Sequence, residues 1–429
     1  MMKKTSFLSL MASALFLMTA CEDKDSLSYK IKHDSRLEIV ETMGKELAQQ
    51  GFNAGSSYNE VWIRDFNTFI ELSMEVMPDS LIRENLNMFY AFQGEDGNIV
   101  DGFVEKENAN VGYKYRLSDA ASNYMSHKNT VETDQESSLV QAVAKYVRKS
   151  GNRDYLREKV LGDETVYQHL IRSMEYLIQQ KMDSTYGLVT GATTSDWGDI
   201  QPEHEWGVEI DGNTHYCIDI YDNAMFVLAL NDMAEMADND AERTRWQTLR
   251  DEVKQRVRQY LWDAEHQKFR PHLYLNGSPF PEDFDENQIF YQGGTAVAIL
   301  AGILEDKEID ASLQHMLECQ QGANAQTIGI TVYPPYPEGF FKSGGMHPYS
   351  YQNGGDWTWF GARMVHALLK YGKVEQAYDI LSPMLDRVVA NQAFYEWYAP
   401  DGEPKGSGTF RGEAGVLFTA IEMLKETVK

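Results

Sequence analysis

The sequence predicts an all-α fold, an (α/α)6 barrel built as a single domain. Three observations lead there. Apolar residues recur at helical spacing in about twelve segments, no period-two strand of any length occurs, and short turns alternate with long loops. Twelve helices in antiparallel pairs can close into a double ring, with the inner helices packed on one another and the long loops gathered at one end. An open α-solenoid is the rival arrangement, but it usually shows a repeat period, and none is found.

The segments justify themselves in order. Over 33–50, Leu37, Ile39, Val40, Met43 and Leu47 mark one apolar face, Asp34-Ser35 signals a start and Gly51 a stop. A polar loop leads to Val61–Phe66 and a second helix over 67–76 that ends before Pro78; a third covers 82–92. Residues 93–129 have no clean period and many Gly, Asp and Asn, as expected of a long loop facing a substrate. Further helices are read at 135–149, 165–181, 218–236, 241–261, 294–304, 311–319, 357–371, 374–390 and 412–427.

Composition bounds the function. The 429 residues are 43% hydrophobic and 12% aromatic, ample for a packed core. A formal charge of −26 argues against nucleic acid or an anionic membrane surface as partner, since both require clustered Lys and Arg. It suits a neutral ligand, and 24 Tyr with 8 Trp suit carbohydrate in particular. No C-x-x-C or H-E-x-x-H pattern occurs, so neither a metal site nor a cofactor is expected.

The first twenty residues read as an export signal. Lys3 and Lys4 precede an apolar run from Phe7 to Met18, and Thr19-Ala20 follow. Met18-Thr19-Ala20-Cys21 resembles the bacterial lipobox, which implies lipidation of Cys21; an ordinary secretory signal with a chance cysteine is the alternative. The expected organisation is a signal peptide over 1–20, a lipidated cysteine and tether over 21–30, and the barrel over 31–429. The expected location is the bacterial cell envelope, at the periplasmic or the outer surface. Cys217 and Cys319 remain, and sequence leaves open whether they pair.

Five loop motifs carry candidate chemistry. In Thr194–Glu203, Asp196 and Asp199 bracket Trp197-Gly198; an indole to stack on a sugar and acids to exchange protons fit a glycoside site, and an Asx-rich turn fits too. Trp62-Ile63-Arg64-Asp65 places an aromatic, a guanidinium and a carboxylate within one turn. They could hold vicinal hydroxyls or form a structural ion pair. Glu132-Thr133-Asp134 opens a helix, where capping competes with a ligand role for Asp134. Tyr351–Trp359 combines an Asn353-Gly-Gly turn with Trp357 and Trp359, while Glu396 stands among Tyr395, Trp397 and Tyr398 before a Pro-Asp-Gly turn. An acid so enclosed is costly unless hydrogen-bonded or functional.

Taken in this order, the motifs resemble those of the six-hairpin glycosidase superfamily, which includes glucoamylase, trehalase and the processing α-glucosidases. Trp62–Asp65 is similar to the W-x-R-D of glucoamylases and related disaccharide phosphorylases. Asp196–Asp199 resembles the D-W-x-D of the phosphorylases, and Tyr351–Trp357 their Y-x-N-G-G-x-W. Glu396–Tyr398, with Gly402 and Gly406 beyond, resembles the E-x-Y-x-P-x-x-G of processing α-glucosidases. The likeness spans 58–418 and implies an inverting hydrolysis of an α-linked glucosyl bond, with Asp199 as general acid and Glu396 as general base. It further implies sugar contacts from Trp62, Arg64, Asp65, Asp134, Asp196, Trp197, Asn353, Trp357 and Trp397. A glycan-binding lipoprotein without catalysis and a disaccharide phosphorylase are the alternative functions.

Overall fold

The computed structural model describes residues 26–429; the stretch expected to be an export signal, and Cys21, lie outside the described residues. Among the described residues there are thirteen α-helices: α1 (Leu27–Lys32), α2 (Ser35–Ala48), α3 (Ile63–Val76), α4 (Asp79–Ala91), α5 (Gln135–Ser150), α6 (Val166–Tyr176), α7 (Ile220–Met236), α8 (Asp240–Tyr260), α9 (Gln292–Leu300), α10 (Asp306–Ala323), α11 (Thr358–Lys370), α12 (Val374–Asn391) and α13 (Arg411–Glu426). All twelve helices read from the sequence are among them. Helix α1 starts ahead of the boundary expected at residue 31.

Helices α3, α5, α7, α9, α11 and α13 form the inner ring, each packed on the next, and α13 closes on α3. The outer ring is α2, α4, α6, α8, α10 and α12. Residue type decides which ring a helix joins. Eight of the nine residues of α9 are buried, as a helix enclosed on every side requires. In α8 only Trp246, Val253 and Val257 are buried, and its charged residues face solvent. The closed ring excludes the open solenoid.

Every inner helix begins at the same end of the barrel, because each follows one of the long loops. Helix α2 runs toward that end, so α1 and the start of α2 lie at the opposite one, about 20 Å away along its 14 residues. Asp34 caps α2 by accepting from the Arg36 N–H at 3.0 Å, as its sequence suggested. The long stretch 93–129 is not structureless: β2 (Gly102–Glu105) and β3 (Tyr124–His127) pair with β1 (Val61–Trp62) in a small antiparallel sheet, order β1-β2-β3. Such short strands, set among Gly and Asn, leave no readable alternation. Among the described residues no helix is long and apolar enough to cross a membrane. Cys217 and Cys319 are buried free thiols.

Candidate active site

The loops at the N-terminal end of the inner ring enclose a cavity of about 400 Å³. Trp62, Arg64, Asp65, Trp197, Asp199, Trp357 and Glu396, all expected at the site, line it. So do residues that no motif announced, among them Tyr58, Asp101, Tyr113, His127, Trp206 and Gln352. The floor is buried: Trp357 and Trp359 are closed off, and Arg64 and Asp65 sit in the first turn of α3 with little exposure.

Asp199 is held by one residue. Gln352 donates from Nε2 to Asp199 Oδ1 at 2.9 Å, and its Oε1 accepts the Asp199 N–H at 3.3 Å. The Gln352 carbonyl is itself fixed by the Ser195 and Thr331 hydroxyls at 2.8 and 2.9 Å. Gly198 makes this clamp possible, since a Cβ there would stand 2.8 Å from Gln352 Oε1. Because Oδ1 already accepts a hydrogen bond, the proton of a neutral Asp199 belongs on Oδ2.

Glu396 approaches from another loop. Its Oε1 accepts the Tyr58 hydroxyl at 2.7 Å and its Oε2 the Ser407 N–H at 3.1 Å. Gly406, at φ +67°, lets the chain pass, for a Cβ there would collide with the carboxylate. Burial pushes the Glu396 carboxyl above its ordinary range, the two donors pull it down, and the charge of Asp199 pushes it up again. The short strand that follows Glu396 (Trp397–Tyr398) is anchored through Asp356 and Tyr398, which exchange both backbone hydrogen bonds at 2.9 Å. Asp356 in turn pairs with Arg387 at 2.9 Å inside the core.

The remaining charges concern the floor. Arg64 donates from Nε to Asp134 at 2.8 Å and also pairs with Glu132. Burial pushes Asp65 up to about 8 and Asp101 up to about 7, against the pull of Arg64. His127 is held down to about 4 by burial, with Arg116 and Lys128 adding to the effect, so the ring is neutral at pH 7.

Four of the residues expected at the sugar are not among those lining this cavity. Asp196 is buried, with Oδ2 and Oδ1 accepting the N–H groups of Gly293 and Gly294 at 2.6 and 2.8 Å; it caps α9 and does not line the cavity. Asp134 lies behind Arg64, bonded also to the Tyr221 hydroxyl at 2.7 Å, and its side chain makes no cap bond to α5. The Asn353 amide is consumed by Tyr336 and Met346, pinning two loops together. Trp397 is half-buried outside the cavity and packs edge-on to Tyr351, 6.3 Å between centroids. Gln352, the neighbour of Asn353, is the one that meets the Asp199 loop. Among the described residues no group of acids, histidines and cysteines could hold a metal ion.

A closed double ring of helices with two hydrogen-bonded carboxyls lining one aromatic-walled pocket is an arrangement suited to glycoside hydrolysis. The profile of the glycosyl hydrolase 94 superfamily catalytic domain matches residues 49–398, and the chain belongs to that superfamily. No curated protein shows a significant match. Among solved structures, a GH63 mannosylglycerate hydrolase from Thermus thermophilus, in complex with glucose, superposes with a TM-score of 0.67 at 15% identity, covering 89% of this chain and 100% of its own. A rhamnosidase from Klebsiella oxytoca with rhamnose bound gives 0.58 at 13% identity, over 91% of this chain and 64% of its own. A GH78 rhamnosidase from Bacillus sp. GL1 gives 0.57 at 14%, over 90% and 34%. At these identities the likeness is one of fold.

Proposed function

We propose that the protein is an exported, lipid-anchored glycoside hydrolase that cleaves an α-linked glucosyl bond with inversion. The observation that carries this reading is the pairing of Asp199 and Glu396 in one pocket on independent supports. Glu396, ionised, takes a proton from water as the water oxygen attacks the anomeric carbon. The bond from that carbon to the leaving oxygen breaks, and the proton on Asp199 Oδ2 passes to the leaving oxygen. Arg64 and Asp65 hold the ring hydroxyls, and Trp197 and Trp357 wall the floor. Inversion requires room for the water, which corresponds to carboxyls about 6.5–9.5 Å apart.

Phosphorolysis is disfavoured by charge. Five carboxyl residues line the cavity (Asp65, Asp101, Asp199, Glu205 and Glu396), and its one guanidinium is already paired with Asp134 and Glu132. A phosphate would find no unpaired cation in that lining. A pocket for binding alone has no use for two acids held on separate supports. The glucose bound by the mannosylglycerate hydrolase is consistent with a hexose on this floor.

The decisive experiment follows α-glucosyl fluoride by NMR. Release of β-glucose first, independent of phosphate, is expected. Release of α-glucose would refute inversion, and phosphate-dependent formation of a sugar phosphate would refute hydrolysis. Asp199→Asn and Glu396→Gln should each lower turnover of an α-glucoside by about 10²–10⁴-fold with binding largely kept.

A further inference from the structure

The cavity has a gradient from closed floor to open rim. Trp357 and Trp359 at the floor are 2% and 3% exposed, whereas Trp206 is 52% exposed. The chain reaches Trp206 directly from Asp199, so the loop that carries the proton donor also builds this part of the rim. The floor is closed and suits one sugar ring; the leaving group must therefore extend past Asp199 toward Trp206.

The rim loop is strapped on several sides. Gln201 N–H donates to the Gly207 carbonyl at 2.9 Å, Thr130 N–H to Val208 at 3.1 Å and Lys342 N–H to Pro202 at 3.0 Å. Ile210 N–H donates to the Thr130 hydroxyl at 2.8 Å. Trp206 is thus held while its face stays open, next to Tyr113 at 5.5 Å between centroids. Tyr113 is stacked on His127 at 3.8 Å, which fixes the second ring as well. An exposed indole fixed in advance gives stacking area at little ordering cost.

The rim chemistry is one-sided. Glu205 lines it beside Trp206, and no lysine is among the lining residues; Lys342, next to the lining Ser343, is not part of the wall. We propose, building on the hydrolase reading above, that Trp206 and Tyr113 form the leaving-group subsite and that the leaving group is an uncharged sugar. An anionic leaving group such as glycerate finds the Glu205 carboxylate there and no unpaired cation in the wall. Trp206 is thereby a specificity-determining residue of this reaction.

The test compares substrates on Trp206→Ala and Trp206→Phe. Kojibiose, nigerose, maltose and isomaltose offer a sugar leaving group, α-glucosyl and α-mannosyl fluorides offer none, and glucosylglycerate and mannosylglycerate offer an anion. Trp206→Ala should lower kcat/KM on the best disaccharide by about ten- to a hundredfold, with fluoride hydrolysis within about twofold, and Trp206→Phe should recover part of the loss. Wild-type protein should cleave the glycerate conjugates at least about tenfold less efficiently than the best disaccharide. Equal losses on disaccharide and fluoride, no loss on disaccharide, or preference for a glycerate conjugate would each overturn the proposal. Fluoride hydrolysis separates the two levels: if it proceeds while these signatures fail, the leaving-group assignment falls alone. If wild-type protein cleaves no fluoride and no disaccharide, the hydrolase reading falls with it.

Discussion

Replacing Tyr58 by phenylalanine removes one hydroxyl and keeps the ring. That hydroxyl donates to Glu396 Oε1 at 2.7 Å, and burial together with nearby Tyr351 and Glu396 itself pushes its own ionisation far upward, so it acts as a donor throughout. Glu396 is nearly closed to solvent, so little water screens the loss. A hydrogen bond to a charged group contributes about 1.5–3 kcal/mol, and one pKa unit corresponds to about 1.4 kcal/mol. Without the donor the Glu396 carboxyl should rise by about one to two units. The sign follows directly: the base is ionised only above its pKa, so the acid limb of kcat/KM moves to higher pH. The assay is the pH profile of α-glucosyl fluoride hydrolysis for wild type and Tyr58→Phe, with thermal unfolding measured alongside. An acid limb that stays in place, or moves to lower pH, would refute Glu396 as the base supported by Tyr58.

The other predictions concern neighbouring acids, stability and location. Asp196→Asn should cost about 1–3 kcal/mol of stability, because the amide sets an NH2 donor against one of the two backbone N–H groups of α9 that the carboxyl now accepts, while Asp199→Asn should leave the melting temperature near wild type. Loss of turnover without loss of stability in Asp196→Asn would reverse the assignment of the two aspartates. Burial pushes Glu413 up to about 7 against Arg387, so the folded protein holds this proton more firmly than the unfolded chain. Its stabilising effect is complete below about pH 4 and is lost as pH rises through about 7, with Asp101 and Asp65 acting in the same direction. Thermal stability should therefore fall between about pH 5 and 8, and less steeply in Glu413→Gln; a rise over that range would contradict the sign. Cys21→Ala should move the protein from the membrane to the soluble fraction, and unchanged fractionation would exclude the lipid anchor.

The barrel was legible because its helices are long and periodic. Leu37 to Leu47 on α2 and the enclosed apolar run of α9 carry their place in the ring within their own spacing. The site was legible only where the chemistry of a residue and its outlook coincide. Asp196 and Asp199 look interchangeable in sequence, but Asp196 adopts φ +53° and turns its carboxylate onto α9, while Asp199 meets Gln352. Tyr351, at φ +46°, stands at a similar bend, after which Gln352 and Asn353 serve different loops. Left-handed backbone at a residue other than glycine is a tertiary outcome that local pattern does not encode. Asp134 reads as a helix cap because it precedes α5, whereas its partner Arg64 is 70 residues away. Tyr58, Asp101 and Tyr113 reach the pocket through ring closure and the small β1-β2-β3 sheet, which no spacing reveals.

The polarity of α2 has a consequence for how the molecule would stand on a surface. Its C-terminal end leads into the loop carrying Ala54 and Tyr58 at the pocket, and its N-terminal end, with α1, belongs to the far end of the barrel. A lipid on Cys21, a few residues before Leu27, would therefore draw the closed end toward the bilayer. The mouth, with Trp206 and Glu205 at its rim, would open into the surrounding medium, and its acidic lining would be kept clear of anionic headgroups. Soluble glycans would then enter from the aqueous side, and released sugar would leave the same way, without either having to pass between protein and membrane.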